Sequence, residues 1–460
     1  MRRLLQLAAC GLSIAFLQSA RAQSAIDSVV LRRISDEVMR NGRAHGNLRV
    51  LCKQVGHRLS GSPAAAKAVE ETARMLREAG ADRVWLQPCL VPQWVRGPKE
   101  EARVLPVRGA DWNLSVVALG NSVGTPEKGV RAEVVEVKDF DELNRLGREG
   151  IEGRIVFYNH PMDPTEIATF RAYGRAGAYR SNGPSQAARY GAVGVIVRSL
   201  ASNIDDYPHT GATRYNDSFP KLPAVAVSTR DAERLSEAIA RRQVRSVWFK
   251  TGCRMLPDVM SYNVIGEIVG SEKPEEVITV GGHLDSWDIG EGAHDDGSGC
   301  VQSIEVIRVL KELGLRPRRT IRAVMFMNEE NGLRGGQAYA DSARLEKARH
   351  IFALESDAGG FSPRGFGFTA PSDKLARILS WRTLFQPYGA DNLVNGGGGA
   401  DIGPLRSLGT VLAGLVPDPQ RYFDVHHSAA DVFEAVSPRE LHLGAAVMAS
   451  LVWLVSEKGL

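Results

Sequence analysis

The sequence has few cysteines, few aromatic residues and little net charge. Its 460 residues include 5 Cys, 7% aromatic residues and a formal net charge of only +4. A charge this small, with no dense block of Lys and Arg, makes nucleic acid a poor candidate partner. Beyond the N-terminus, no stretch offers the roughly 20 uninterrupted apolar residues that a membrane span requires. A hydrophobic content of 43% still indicates a globular protein with a core, and the length suggests about two or three domains.

The N-terminus has the pattern of an export signal over residues 1–22. Arg2-Arg3 precedes an apolar stretch from Leu4 to Leu17, and Ala20-Arg21-Ala22 forms a small-x-small cleavage site. The short segment Leu7–Cys10 resembles a lipoprotein cleavage box, but the apolar stretch before Cys10 is very short and continues past it, which disfavours lipidation. We therefore expect cleavage after Ala22 and a soluble mature protein, secreted or periplasmic.

Cleavage there would leave four cysteines, and export permits disulfides without requiring them. These four are Cys52, Cys89, Cys253 and Cys300. They form no CxxC motif and no Cys/His zinc spacing. Cys300 begins a helical pattern, where a small buried thiol is typical. If a bridge forms, Cys52 with Cys89 is the least implausible pair.

The C-terminal half predicts an α/β fold. Predicted strands cover residues 264–269, 277–281, 321–327 and 351–354, and a predicted helix covers 299–313. Repeats of strand, helix and strand at this spacing predict right-handed crossovers and a mixed, largely parallel sheet flanked by helices. Upstream, Ser62 and Pro63 are typical of a helix start, which predicts a helix over residues 64–78.

The middle of the chain, from about residue 94 to 252, predicts a separate inserted domain. It consists of short apolar strands with many glycines and no cluster of metal ligands. Its loop Tyr207–Tyr215 is rich in polar and aromatic groups. That loop is either an ordinary surface loop or one that faces a substrate cleft.

Acidic and imidazole side chains follow three predicted strands of the C-terminal half. They are His283, Asp295, Glu329, Glu330 and Asp357. Because sites in open α/β sheets form outside the carboxyl ends of the strands, these side chains can converge despite their separation in sequence. A late cluster, Tyr422–Asp431, can supply another imidazole. The pattern therefore predicts a metal site rather than a set of polar turns.

The charges of this group favour two metal ions over one. Asp295, Glu330 and Asp357 bring three negative charges, and a bridging hydroxide would complete the neutralisation of two Zn²⁺ ions. Glu329 is then left over, and its carboxylate can take the proton from the bridging water and return it to a leaving amine. A metal pair, a hydroxide between the ions and a proton-carrying carboxylate together predict hydrolysis of an amide bond.

Five motifs carry a family resemblance. In order they are His283-Leu-Asp285, Asp295-Asp296-Gly297, Asn328-Glu329-Glu330, Glu355-Ser356-Asp357 and His427-Ser-Ala-Ala-Asp431. They resemble the motifs of the di-zinc exopeptidases related to bacterial leucyl aminopeptidase. Gly282–Asp288, Leu313–Pro317 and the Tyr207–Tyr215 loop are most similar to the carboxypeptidase Q family.

The resemblance implies a phosphorylase/hydrolase-like domain with an inserted, β-rich protease-associated (PA) domain. The expected boundaries are 23–114 for the first part of the catalytic domain, 115–252 for the insert and 253–460 for the remainder. Two Zn²⁺ per chain are implied, with Asp295 bridging both ions. By motif, His283 and Asp357 complete one zinc, and Glu330 and His427 complete the other.

The resemblance also implies roles around these ligands. Glu329 falls on the general base, and Asp285 would orient His283 through its free ring nitrogen. Asp431 is expected to cap a loop, while Asp288 and Asp296 are expected to be scaffolding.

Two histidines compete with these assignments. His294 directly precedes Asp295, but a side chain adjacent to a bridging Asp normally points away from the metals. His426 competes with His427, and the His-x-x-x-Asp spacing favours His427.

The predicted function is a secreted metallo-exopeptidase of carboxypeptidase or dipeptidase type, acting on dipeptides or short peptides. An aminopeptidase of the same family and an amidohydrolase of N-acyl amino acids remain alternatives. Backbone N–H groups of Asn395–Asp401 could bind a free C-terminus. Asp401 or Glu291 could instead hold an ammonium group. A homodimer is a further hypothesis.

Overall fold

The computed structural model describes residues 25–460, so the predicted export signal lies outside the described range. The first elements are α1 over residues 25–41, α2 Ala44–Arg49, α3 Pro63–Glu78 and β1 Arg83–Val95. Helix α3 begins as predicted, because the Ser62 side chain accepts a hydrogen bond from the Ala65 N–H and Pro63 occupies the first turn.

The middle of the chain folds as a unit of its own, called the insert below (residues 96–253). Its elements are β2 Glu101–Pro106, β3 Trp112–Asn113, β4 Val116–Ala118, β5 Val130–Ala132, β6 Val134–Val137, α4 Phe140–Ile151, β7 Ile155–Tyr158, α5 Thr169–Ser181, α6 Gly183–Ala188, β8 Gly194–Arg198, β9 Ala224–Val227, α7 Thr229–Ala240 and β10 Val244–Lys250. They form a four-stranded sheet in the order β3-β2-β10-β5 and a five-stranded sheet in the order β4-β9-β8-β7-β6. Because β2 pairs with β10, the insert starts well before residue 115.

The rest of the chain alternates strands and helices. Its elements are β11 Arg254–Ile268, β12 Lys273–His283, α8 Ser298–Glu312, β13 Arg319–Phe326, α9 Arg334–Leu345, β14 Arg349–Glu355, β15 Pro363–Thr369, α10 Ser372–Leu379, α11 Arg382–Phe385, β16 Asn392–Asn395, β17 Val411–Pro417, α12 Tyr422–Val425 and α13 Pro438–Lys458. Short turns of π- or 3₁₀-helix lie at Val50–Val55, Ala293–Gly297, Gln386–Tyr388, Gly403–Leu408 and Phe433–Ala435.

One eight-stranded sheet organises the main domain, in the order β1-β11-β13-β12-β14-β17-β15-β16. The central pairs β13–β12, β12–β14 and β14–β17 are parallel, while β1–β11, β11–β13 and β15–β17 are antiparallel. Every residue of β13 is buried, as expected for a central strand covered on both faces. The predicted mixed, largely parallel α/β sheet is confirmed.

Helix α13 packs in the core of the main domain beside α8. Its 21 residues are apolar enough to cross a membrane by length and composition, but most of its side chains are buried inside the fold. It therefore has the character of a core helix.

No bridge joins Cys52 and Cys89, the pair that would have been the least implausible one. Both residues, with Cys253 and Cys300, are free buried thiols. They contribute apolar packing: Cys52, Cys89 and Cys300 belong to the core that joins α3, α8 and the central strands.

An ion pair and aromatic contacts fix the insert against the main domain. Arg96 pairs with Asp288 at 2.5 Å and with Glu100 at 3.0 Å, and it donates to the Ala118 carbonyl at 2.7 Å. Asp288 therefore braces its loop, as predicted. Elsewhere the ring of Tyr173 on α5 stacks on Phe423 of α12 with centroids 4.7 Å apart. The insert thus has a defined position over the carboxyl edge of the sheet.

Candidate metal centre

Three parallel neighbours in the sheet end at the same edge, and each delivers a polar side chain there. Strand β12 ends in His283, β13 is followed by Glu329 and Glu330, and β14 is followed by Asp357. Because these strands pair in parallel, their carboxyl ends lie side by side.

Asp295 lies between two sets of donor atoms. Its Oδ1 is 3.1 Å from His283 Nε2, and its Oδ2 is 3.2 Å from His427 Nε2. On the first side, His283 Nε2 is also 3.4 Å from Asp357 Oδ1. On the second side, His427 Nε2 is 3.1 Å from Glu330 Oε2. The five side chains thus form two triads that share one carboxylate.

Both imidazoles are oriented by backbone carbonyls behind them. His283 Nδ1 lies 2.9 Å from the carbonyl oxygen of Asp285, and His427 Nδ1 lies 3.2 Å from that of Thr210. A protonated Nδ1 donating to each carbonyl leaves the Nε2 lone pairs facing Asp295. This tautomer is the one that a metal ligand needs.

The electrostatics of the triads fit divalent cations. Burial opposes ionisation of Asp295, but His283 and His427, when they are protonated at Nε2, outweigh it and hold the pKa of this carboxyl well below its usual value. Burial raises the pKa of Glu330 to about 7, against the opposing effect of His427. Asp295 Oδ2 is buried and accepts no hydrogen bond although His427 Nε2 is close. Buried carboxylates beside imidazole lone pairs are the ligand chemistry of zinc.

The chain belongs to a known group of enzymes, as three comparisons with other proteins show. The profile of peptidase family M28 matches residues 263–452. Carboxypeptidase Q of Bos taurus is 38% identical over 416 residues, which cover 90% of this chain and 85% of that protein. Carboxypeptidase Q of Homo sapiens is 37% identical, with the same two shares. The chain belongs to peptidase family M28.

Solved structures agree with this M28 assignment. A peptidase M28 precursor from Shewanella amazonensis SB2B has a TM-score of 0.89 and 31% identity, covering 94% of this chain and 97% of that one. A zinc aminopeptidase from Bacillus subtilis shares the fold with a TM-score of 0.63 and 20% identity, covering 89% of this chain and 94% of that one. Together with the family assignment, the first of these structures makes the chain an M28 peptidase, and the second shows that its fold is shared with a zinc aminopeptidase.

The structure corrects the predicted role of Asp285 in the M28 site. Its carboxylate lies 3.9 Å from His283 Nδ1 and instead accepts the backbone N–H groups of Asn328, Glu329 and Glu330 at 2.7, 3.0 and 3.3 Å. The backbone carbonyl of Asp285, not its side chain, orients His283. The carboxylate is already engaged because the turn after β13 leaves three amides that need an acceptor.

Asp431 and Asp296 hold the backbone of the same loop. Asp431 accepts the N–H groups of His294 and Asp295 at 2.7 and 3.1 Å, which is the predicted capping role. Asp296 accepts those of His283 and Gly299 at 3.0 and 2.9 Å. The peptide bond between Asp295 and Asp296 is cis.

The competing histidines differ from His427 in their contacts. His294 turns away, since its Nδ1 accepts the Gly360 N–H at 3.0 Å and its ring stacks on Phe361. His426 stacks on His427 with centroids 3.6 Å apart, and its Nε2 reaches only Asp295 Oδ2, at 3.5 Å. Asp295, His426 and His427 still form one of the donor groups close enough to hold an ion. His427 alone of this pair also contacts Glu330.

Glu329 lines a cavity of about 680 Å³ in front of the triads. Burial and the nearby carboxylates of Asp357 and Glu330 raise its pKa well above the usual value for a Glu, although His283 lowers it. No side-chain partner is seen for Glu329 among the described residues, so its carboxylate faces the cavity free to exchange protons.

Sequence reasoning missed the wall of the cavity opposite the triads. That wall comes from the insert and carries Tyr173, Arg180, Asn182, Ala212 and Arg214. The polar composition of the Tyr207–Tyr215 loop was the one sequence feature that pointed to this wall. The loop does reach the site, where the Thr210 N–H donates to the His427 carbonyl at 2.9 Å. Arg180 and Tyr173 lie on α5, whose sequence carries no motif.

Proposed function

We propose that the protein is a secreted or periplasmic two-zinc exopeptidase that cleaves dipeptides or short peptides at their C-terminal bond. The observation that carries this proposal is the position of Asp295, with one carboxylate oxygen facing each donor triad. A single zinc takes about three protein ligands, so a one-zinc site would leave the second triad without an ion. The pattern of residues 1–22 supports export, and the insert is proposed to be a PA domain.

The proposed ligands follow the two triads. Asp295 would bridge the ions, His283 and Asp357 would complete one, and Glu330 and His427 the other. A bound zinc pair would supply Lewis acidity toward the scissile carbonyl and would lower the pKa of the attacking water.

Glu329 carries the proton transfer in this proposal. Its carboxylate takes a proton from the attacking water and later delivers it to the nitrogen of the leaving amine. The turn that bears Glu329 is held by Asp285, which fixes the direction of approach. The raised pKa of Glu329 suits a group that must both accept and release a proton.

The size of the cavity favours short substrates. The insert covers the triads from the side opposite the sheet, and α5 leaves a cavity of about 680 Å³ that holds a few residues rather than a folded chain. The relatives named carboxypeptidase Q support a C-terminal specificity. A homodimer stays a prediction.

A substrate panel tests the proposed function. We expect the zinc-loaded protein to cleave unblocked dipeptides and N-blocked dipeptides but not aminoacyl amides, and to lose activity on chelation and regain it with zinc. Cleavage of aminoacyl amides with refusal of N-blocked dipeptides would show an aminopeptidase. Hydrolysis of N-acyl amino acids alone would show an amidohydrolase, and no hydrolysis by the zinc-loaded protein would overturn the proposal.

A further inference from the structure

Arg180 lies at the end of α5 and faces the metal triads from the insert. Its Nη1 is 3.4 Å from His427 Nδ1 and donates to the Thr210 carbonyl at 3.3 Å. Its Nη2 donates to the hydroxyl of Tyr173 at 2.7 Å. In the tautomer that a metal ligand needs, His427 Nδ1 donates to Thr210 and cannot also accept from Arg180. The guanidinium therefore has only neutral partners.

The contacts of the Arg180 guanidinium are with Thr210, His427 and Tyr173, and within residues 25–460 no carboxylate pairs with Arg180 or Arg214. Arg180 Nε is buried and has no hydrogen-bond partner. Both arginines line the same cavity, and their backbones lie close together, since the Arg214 N–H donates to the Ser181 carbonyl at 2.8 Å. Two cations at one wall of the cavity, one with a buried Nε that has no partner, offer a binding place for an anion from outside the chain.

The fold makes room for this arginine and fixes its position. A Cβ at Gly211, whose φ is +133°, would lie 2.5 Å from Arg180 Cζ, so only glycine leaves space for the guanidinium. Phe170 on the same helix stacks on Tyr422 of the main domain with centroids 5.3 Å apart. Arg180 is thus held relative to His427 by packing rather than placed by a mobile loop.

Other candidate anion sites are already used by the chain. The N–H groups of Asp401 and Ile402 donate to Glu355, and a Cβ at Gly399 would lie 2.1 Å from the Glu355 carboxyl carbon. The loop whose N–H groups could have bound a C-terminus therefore wraps a buried carboxylate instead. Glu291, predicted as an alternative ammonium site, pairs with Lys53 at 2.7 Å.

We propose that Arg180, with Arg214 beside it, binds the C-terminal carboxylate of the substrate and so selects its last peptide bond. Only an imidazole ring separates the guanidinium from the Nε2 side of His427. One residue of extended chain spans roughly 3.3–3.6 Å. A carboxylate on Arg180 therefore leaves the preceding amide carbonyl beside the triads. This inference rests on the proposed peptidase function and adds the group that would decide which end of the peptide is recognised.

Matched substrates test the role of Arg180. The pair is an N-blocked dipeptide and the same molecule with a C-terminal carboxamide, which lacks only the charge. We expect the Arg180→Gln variant to lose about 10- to 100-fold in kcat/KM on the free acid and little on the amide. The Arg180→Lys variant should recover part of the loss, because Lys keeps the charge but not the bidentate fork.

Arg175→Gln is the matched control, because Arg175 lies on the same helix, is exposed and pairs with Glu166 at 3.5 Å. It should behave as wild type. An equal loss on both substrates in Arg180→Gln, or an unchanged preference for the free acid, would overturn the proposal. Equal wild-type activity on acid and amide would do the same.

Binding to the inert Glu329→Gln variant separates this inference from the proposed function. Calorimetric titration should show the free acid binding at least 10-fold tighter than the amide, and the additional Arg180→Gln change should remove that difference. If the wild type hydrolyses no peptide, the proposed function fails while this titration still reports on the carboxylate site. Equal binding of acid and amide to Glu329→Gln would overturn the role of Arg180.

Discussion

Replacing Glu329 by Gln is expected to lower kcat by about 10³-fold without changing the zinc content. Glu and Gln have the same shape, and the backbone N–H at this position still donates to Asp285. The amide can neither accept the proton of the attacking water nor pass it to the leaving amine. Because Glu329 is not one of the proposed ligands, the ions should remain bound.

The measurement is steady-state hydrolysis of a dipeptide together with elemental analysis of the same sample. Glu312→Gln is the control, since Glu312 is an exposed residue at the end of α8. It should match wild type in both quantities. A Glu329→Gln variant that retains a tenth or more of wild-type kcat would remove Glu329 from the proton-transfer role.

The second large effect is expected at the paired histidines. His427→Gln should lower the bound zinc from about two to about one per chain and abolish activity, because one triad loses its imidazole. His426→Gln should keep about two zincs per chain. The reason is geometric: His427 Nε2 contacts both Asp295 and Glu330, whereas His426 reaches Asp295 only.

Elemental analysis after dialysis against zinc-free buffer compares the two variants directly. Each replaces a buried imidazole in the same stacked pair, so they serve as controls for each other. Loss of zinc in His426→Gln with retention in His427→Gln would reverse the ligand assignment. Circular dichroism of both variants would report whether either substitution unfolds the chain.

The sheet and its polar edge could be predicted because they depend on local patterns. Runs such as 323–327 are continuously apolar because β13 is covered on both faces, and a polar residue directly after such a run must lie at the sheet edge. The start of α3 was predictable for a similar reason, since Ser62 and Pro63 act within one turn.

Features that depend on distant pairing could not be predicted in the same way. The insert begins earlier than expected because β2 pairs with β10, about 140 residues later in the chain. Likewise, the role of the Asp285 carboxylate depends on the turn after β13, whose free amides have no signature in the sequence. Arg180 is a third case, because only the docking of α5 on α12 brings it to His427.

Anomalous diffraction from crystals of the zinc-loaded protein tests the bridging role of Asp295 most directly. Data collected on both sides of the zinc absorption edge should show two peaks about 3.5–4 Å apart, with the Asp295 carboxylate between them. The peak on one side should contact His283 and Asp357, and the other should contact Glu330 and His427. A single peak, or two peaks that do not share Asp295, would contradict the two-zinc centre.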